Sequence, residues 1–362
     1  MFDKRVKKLR QILEDKRLDG LLVSNFYNIL YLTGFKTLAP QDREAFFLVT
    51  KKKSYLFTDA RYLTQATDEF ELRLFEPKKR LSHYLQEIVV AESIRRLGFE
   101  SEDLKFHEYE SLSKKLKRIV LVSTQNVVLK LRALKDAEEI AKIKVACQIS
   151  SQYLQEIIKT VKIGQTEKEI AFKLEAWLKQ KGYDLAFDPI VAAGANAAVP
   201  HYNTKTGSGK IKSGEVLLVD FGAKYKDYCS DMARVFFVGR AKSEMINAYN
   251  KLLTVQEKTI QRAKVGQQLK QLDSYCRKLL KANKLPNFSH STGHGVGLEV
   301  HESPRVSPLS KDTISDNQVF TIEPGVYIEG SFGMRIEDTV VVQNKSLKIL
   351  TQLSKQPAFL PL

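Results

Sequence analysis

Four carboxylates set inside strand-forming sequence constrain this chain more than anything else in it. Residues 214–237 read as two apolar strands, GEVLLVDFGA and CSDMARVFF, joined by a polar turn near Tyr225 and Lys226. Side chains alternate along a strand, so Val216, Leu218 and Asp220 share one face of the first, and Asp231, Ala233 and Val235 share one face of the second. A turn centred on 225–226 makes Asp220 and Asp231 equidistant from it, hence directly opposed with both carboxylates pointing the same way. Asp is depleted from strand interiors, which argues against an ordinary turn role for either residue. Opposed like charges need a cation between them or a strongly raised pKa.

The device recurs near the C-terminus, where VFTIEPGVYI and GMRIEDTVVV flank a connection at residues 329–333 and place Glu323 and Glu337 symmetrically about Gly330. Between the hairpins lies HSTGHGVGLEVHE, carrying His290, His294 and His301. Gly293 and Gly295 on either side of His294 let backbone approach closely, which a satisfied core histidine would not require. Four carboxylates and an imidazole form a hard, oxygen-dominated donor set with charge enough for two divalent cations.

The order Asp220, Asp231, His294, Glu323, Glu337, within VDFGA, SDMARVF, GHGVGLEVHE, IEPGVYI and MRIEDTV, resembles the M24 "pita-bread" metallopeptidases, specifically their aminopeptidase P and prolidase branch. The resemblance implies an α+β fold, with an N-terminal α/β creatinase-like domain and a C-terminal pita-bread catalytic domain. It implies that Asp220 chelates one metal, that His294 and Glu323 bind the other, and that Asp231 and Glu337 bridge. A hydroxide between the ions would be the nucleophile, and Glu323 would also shuttle its proton to the leaving amine. Mn²⁺ is the expected ion, with Co²⁺ and Zn²⁺ compatible with the same donors.

His201 in VPHYN and His301 in VHESP match two further active-site histidines of that family, expected to hydrogen-bond the carbonyl as it becomes an oxyanion. His290 matches another family position, with a substrate-side or a structural role. Arg335, two residues from Glu337 on the same strand face, is expected on the substrate side, where it orients a metal carboxylate or else balances charge. The HESP string at residues 301–304 and the residues preceding the catalytic half favour the Xaa-Pro branch over methionine aminopeptidases, which share the five ligands. The bond before proline defeats most peptidases because the imide nitrogen carries no hydrogen. Within the branch the reading leans to aminopeptidase P, which trims the N-terminal residue from longer peptides. The alternative is a prolidase, which takes Xaa-Pro dipeptides and must hold a free proline carboxylate; Arg305 in HESPR is a candidate clamp or else a surface arginine. Metal-free binding proteins of the same fold, and a creatine-hydrolysing relative, are disfavoured by the intact ligand set. A homodimer is implied by the resemblance alone.

A chain of 362 residues suits two domains, expected as 1–125 and 126–362. In the first, helix-period VKKLRQILEDKRLD and the helix near LSHYLQEIVVAESIRRL alternate with strand-like GLLVS, EAFFLVT, SYLFT, ELRLFE, LGFE and KRIVLVS, predicting a layered α/β unit with a mixed sheet. NILYLTGF reads as an aromatic-rich apolar turn. In the second, Asp136 is positioned to cap a long helix, and Thr166 with Glu169 has capping-box spacing ahead of another that Gly182 can end. Trp177 falls at helical spacing from Leu174 and Leu178 and belongs to a core. Helices are expected over residues 242–264 and 267–282. The net charge of +16 is spread in short groups such as 51–53, 78–80 and 114–118 without a nucleic-acid motif, so no specific nucleic-acid partner is expected. No long apolar window predicts a membrane span, the N-terminus opens on charges, and Cys147, Cys229 and Cys276 are scattered and odd in number; a cytoplasmic enzyme with reduced thiols is the expectation.

Overall fold

Alternating helix-period and strand-period sequence builds the first unit as expected. The computed structural model describes residues 2–40, 42–65, 70–76 and 79–360. Helix α1 (Phe2–Asp15) buries Val6, Leu9 and Leu13, spaced three and four residues apart, ahead of the wholly buried strand β1 (Gly20–Val23). Then come α2 (Phe26–Thr33), β2 (Phe46–Thr50), β3 (Ser54–Thr58), β4 (Glu71–Leu74), α3 (Leu81–Ala91), β5 (Arg96–Glu100), α4 (Phe106–Lys115), β6 (Val120–Thr124) and α5 (Val127–Ala133). The strand order β4-β3-β2-β1-β5-β6 is mixed, antiparallel at β1–β2 and β2–β3 and parallel elsewhere. Tyr84, Leu85 and Ile88 of α3 and Leu112 of α4 pack on one face of it. NILYLTGF is a correction: it forms most of α2, because the Asn25 side chain accepts from the Asn28 N–H and Gly34 ends the helix in the left-handed region. The chain divides at Arg132 and Ala133, within α5, rather than near residue 125; buried Val127 and Val128 hold that helix on the first unit's side of the division.

The second unit opens with α6 (Ala137–Ile157) and α7 (Glu167–Gln180). Both carry capping boxes, Asp136 with Glu139 and Thr166 with Glu169, and Gly182 follows α7 with a positive φ of 77°. Then follow β7 (Asp184–Leu185), β8 (Ile190–Ala193), β9 (Val216–Phe221), β10 (Ala223–Tyr225), β11 (Tyr228–Cys229), β12 (Met232–Val238), α8 (Ser243–Arg262) and α9 (Leu269–Ala282). The chain continues through β13 (Gly293–Gly295), β14 (Glu302–Val306), β15 (Val319–Ile322), β16 (Gly325–Ile328), β17 (Phe332–Arg335), β18 (Asp338–Gln343), β19 (Ser346–Ile349) and β20 (Ala358–Leu360). Two sheets carry the site, β20-β12-β9-β8 and β14-β13-β15-β18-β19.

Strand alternation decides which residues meet. Leu217, Val219 and Phe221 of β9, with Met232 and Phe236 of β12, pack on Leu154 of α6 and Leu174 of α7, where Trp177 also lies against the core. The opposite face, with Val216, Leu218, Ala233 and Val235, packs on Tyr249 and Leu252 of α8 and on Val326 and Met334 of the second hairpin. Asp220 and Asp231 continue that second face, so both carboxylates do point the same way. They are not directly opposed, however: Asp220 pairs with Ala233. The turn is centred on Lys226 and Asp227, both in the left-handed region at φ 46° and 69°, one residue beyond the expected centre. A one-residue shift of the centre moves pairing by two residues and keeps the face.

Candidate metal centre

In the second hairpin the register holds as read. Val319 pairs with Val341 and Ile322 with Asp338, while Gly325 pairs with Arg335, and this common register sets Glu323 against Glu337 about Gly330. Phe320, Ile322, Val340 and Val342 face a core shared with Leu269 and Leu272 of α9, which turns Thr321, Glu323, Glu337 and Thr339 the other way. The Glu337 N–H donates to the Ala233 carbonyl at 3.2 Å, and the Thr339 hydroxyl donates to the Asp231 carbonyl at 2.7 Å, joining the two hairpins edge to edge.

His294 sits on β13, between β14 and β15. A Cβ on Gly293 would land on the Thr321 carbonyl oxygen, and one on Gly295 would land on the Ser303 carbonyl, so only glycine permits the strand spacing that delivers this imidazole. The His294 N–H donates to Thr321 Oγ1 at 3.1 Å, and its Nε2 lies 3.5 Å from both Asp231 Oδ2 and Glu323 Oε1. Ligand atoms of Asp231, His294 and Glu337 fall within 4.8 Å of one another.

The electrostatics of this cluster are those of negative charge in excess. Burial, then repulsion from Asp220 and Glu323, raises the Asp231 carboxyl well above its usual range. Burial, then Asp231 and Glu323, does the same to Glu337, and burial with Asp220 brings Glu323 to about 8 against the pull of Arg335. Burial lowers His294 to about 3 and His290 to about 4, and lowers His301 as well, so the imidazoles are neutral, the form that can donate to a metal. Among the described residues, one oxygen each on Asp220, Asp231 and Glu337 is buried without a hydrogen-bond partner. Orphaned carboxylate oxygens converging with a neutral imidazole are what a divalent-cation site requires, so the residues present fit the group.

The other predicted residues gather around this centre. The ring of His301 lies 4.2 Å from that of His294. His201 is exposed. The backbone leading to His201 is set by Glu167, a buried carboxylate that accepts from the Ala193 N–H at 2.7 Å, Asn196 Nδ2 at 3.0 Å and the Tyr202 hydroxyl at 2.7 Å. His290 Nδ1 is 4.0 Å from Glu323 Oε2. Arg305 is exposed on β14, paired with His294, and lines a cavity of about 640 Å³ together with His290 and Ser307.

Arg335 orients a carboxylate, and that carboxylate is Asp220: Nε donates to Asp220 Oδ2 at 3.0 Å and Nη2 contacts the same oxygen, while Nη1 donates to the Pro200 carbonyl at 3.1 Å and to the Tyr327 hydroxyl at 2.9 Å. Those contacts occupy a guanidinium that is 2% exposed, so it orients ligands and loop instead of meeting substrate.

The chain belongs to metallopeptidase family M24. The family model matches residues 141–344, and a Creatinase/Prolidase N-terminal domain model matches residues 5–134. The chain is 32% identical over 358 residues to an Xaa-Pro dipeptidase of Pyrococcus horikoshii, covering 98% of this chain and 99% of that protein. The structure of an Xaa-Pro dipeptidase from Bacillus anthracis matches with a TM-score of 0.93 at 29% identity, over 99% of this chain and 100% of that one. That of an X-Pro aminopeptidase from Thermotoga maritima matches with a TM-score of 0.85 at 32% identity, over 96% and 100%. This M24 chain is a metallopeptidase of the Xaa-Pro dipeptidase and aminopeptidase branch, with the expected α+β pita-bread fold, and its family implies divalent metal ions. Among the described residues no helix is long and apolar enough to cross a membrane.

Three elements of the M24 site carry no sequence signature of their own. Tyr327 accepts from Arg335 and bonds His290 Nε2 at 3.0 Å, linking two named residues, yet reads as one more aromatic in GVYI. Lys135 donates to Glu302 at 2.7 Å with both side chains 1% exposed, anchoring the residue next to His301. Arg234 pairs with Asp338 at 2.7 Å, beside Glu337, and Gln256, Thr351 and Lys355 complete the bonds of that carboxylate. The adjacent ED of RIED was the available hint, one acid facing the cluster with Asp231 and His294 and one pairing with Arg234.

Proposed function

We propose that this chain is an Xaa-Pro aminopeptidase that releases the N-terminal residue from peptides with proline second, using two divalent cations held by Asp220, Asp231, His294, Glu323 and Glu337. The observation that carries the reading is the trio of buried, unbonded carboxylate oxygens on Asp220, Asp231 and Glu337 beside a neutral His294. Bound there, the cations supply a water of lowered pKa and polarise the scissile carbonyl. The oxygen-rich donor set favours Mn²⁺, with Co²⁺ and Zn²⁺ compatible.

The protein's own residues do the remainder. Glu323 Oε1 lies 3.5 Å from His294 Nε2, where its carboxylate can relay a proton to the imide nitrogen, a poor leaving group unless protonated. The ring of His301 lies 4.2 Å from that of His294, which supports giving His301, and with it His201, the role of stabilising the oxyanion through ring N–H groups. Tyr327 and Arg335 fix His290 and Asp220 by direct hydrogen bonds.

Trimming of longer peptides is supported by the open 640 Å³ cavity at His290 and Arg305, which leaves room beyond a proline. A second reading, a dipeptidase, is favoured by Arg305 itself: exposed, without an ion-pair partner among the described residues, and near enough to bear on His294 and His301. The test is Mn²⁺-loaded protein on Xaa-Pro dipeptides and on tripeptides extended past the proline. Turnover of dipeptides alone, with Arg305→Ala lowering kcat/KM on them by ~10-fold or more, the worth of one charge-assisted hydrogen bond, would replace the aminopeptidase reading by the dipeptidase one. No turnover of either overturns both.

A further inference from the structure

Beyond the cavity at His290 and Arg305 lies a larger groove of about 1190 Å³, and the two share Arg277, Asn287 and Pro308 in their walls. One flank of the larger groove is α9. Lys270, Lys278 and Lys281 stand on a single stripe of that helix, spaced eight and three residues apart, with Lys284 just past its end and Arg262 across from it. All five are exposed, and among the described residues none has a carboxylate partner. The one acid in the wall, Asp273, is buried and already committed to Arg277 Nε at 2.9 Å and to the Thr292 hydroxyl at 2.7 Å. Cations gathered along one helix stripe repel one another, a small but real cost that a solvated face would relieve by interspersing acids.

Arg277 ties this groove to the catalytic end. Its guanidinium donates to the carbonyls of Phe288 and His290 at 2.8 Å each and stacks over the Phe288 ring at 4.4 Å, and Phe288 stacks in turn on His290 at 4.5 Å. The groove is therefore continuous in structure with the cavity at His290 and Arg305, the side to which the Xaa-Pro reading assigns the part of a substrate past the proline. The stripe from Lys270 to Lys281 spans about 16 Å of helix, the length of about five extended residues.

We propose that this groove selects peptides with acidic residues C-terminal to the scissile Xaa-Pro bond, the lysines of α9 holding their carboxylates. The inference rests on the Xaa-Pro reading and adds to it a preference in the downstream part of the peptide. Each lysine contact is solvent-exposed and individually weak, so the selection comes from several acting together and is sensitive to salt.

The test uses full-length Mn²⁺-loaded protein and two labelled hexapeptides with a free N-terminus and proline second, one ending in three glutamates and the other in three glutamines. Binding is read by fluorescence anisotropy and cleavage separately, with Lys278→Glu/Lys281→Glu as the variant and its metal content as the check on folding. The expected result is affinity for the acidic peptide about tenfold above that for the glutamine peptide at low salt, collapsing at 0.5 M salt. In the variant the preference should vanish or reverse, through KM rather than kcat. Equal binding of the two peptides by the wild-type protein overturns the inference even if both are cleaved. So does a variant that keeps its acidic preference while losing affinity for an RNA oligonucleotide, which would make the groove a nucleic-acid surface. Failure to cleave the glutamine peptide counts against the Xaa-Pro reading alone, because the anisotropy comparison does not depend on turnover.

Discussion

Glu337→Gln should stabilise the metal-free protein at pH 8 while removing a carboxylate from the proposed metal centre. Ligand atoms of Asp231 and Glu337 lie within 4.8 Å, and at an effective dielectric of about 20 two unit charges that far apart repel by about 3.5 kcal/mol. The fold can avoid this repulsion by keeping a proton on Glu337. Against an ordinary value of 4.5, holding that proton costs about 1.4 kcal/mol per pH unit, hence about 5 kcal/mol at pH 8 and under 1 kcal/mol at pH 5. The smaller cost governs at each pH: about 3.5 kcal/mol at pH 8, set by repulsion, and under 1 kcal/mol at pH 5, set by protonation. Because burial and Asp231 raise the folded pKa of Glu337, its contribution to stability is intact below about 4.5 and is lost as pH rises toward the folded value. Glutamine has nothing to titrate. Urea unfolding in EDTA should therefore show the variant about 3 kcal/mol more stable than wild type at pH 8 and within 1 kcal/mol at pH 5. Excess Mn²⁺ should invert the order, since only the wild type gains the binding energy, about 4.1 kcal/mol at a thousand times Kd. A variant no more stabilised at pH 8 than at pH 5, or destabilised at both, would refute the claim that this cluster waits for positive charge.

Asp231→Ala should abolish hydrolysis and lower bound metal measured by elemental analysis; near-normal kcat at full occupancy would rule out a bridging role. His201→Ala should keep its metal while kcat falls by ~10²-fold, the scale of one lost oxyanion donor, and loss of metal with per-metal activity preserved would make it a ligand instead. Lys135→Met leaves Glu302 charged and buried, so thermal unfolding should report a loss of about 3–5 kcal/mol, and Lys135→Met/Glu302→Gln should recover most of it. A double variant as unstable as the single would show that Lys135 acts through packing.

Much of this could be read from the sequence because strand alternation, glycine placement and buried acids leave strong periodic marks. The N-cap at Asp136 and the capping box at Thr166 were visible for the same reason, being local and chemically explicit. The first hairpin slipped because its turn uses Lys226 and Asp227 at positive φ, where Asn or Gly would have announced the centre. Helix α4 went unread since it buries only Leu112 and so has almost no apolar stripe. That Arg335 orients a carboxylate was legible, but not which one: it reaches Asp220, 115 positions away. Partners such as Tyr327, Lys135 and Asp338 are set by tertiary packing, which leaves no local trace.

The joining of two hairpins edge to edge has a bearing on the birth of the molecule. Asp220 and Asp231 belong to one hairpin, Glu323 and Glu337 to the other, and the Glu337 N–H meets Ala233 only when the two have docked. A nascent or partly unfolded chain holds at most half of the cluster, spread over a loop whose closure is slow and entropically unfavourable. Proteolytic power thus arrives last, as a property of the finished architecture, and an immature copy has no working blade to turn on its neighbours.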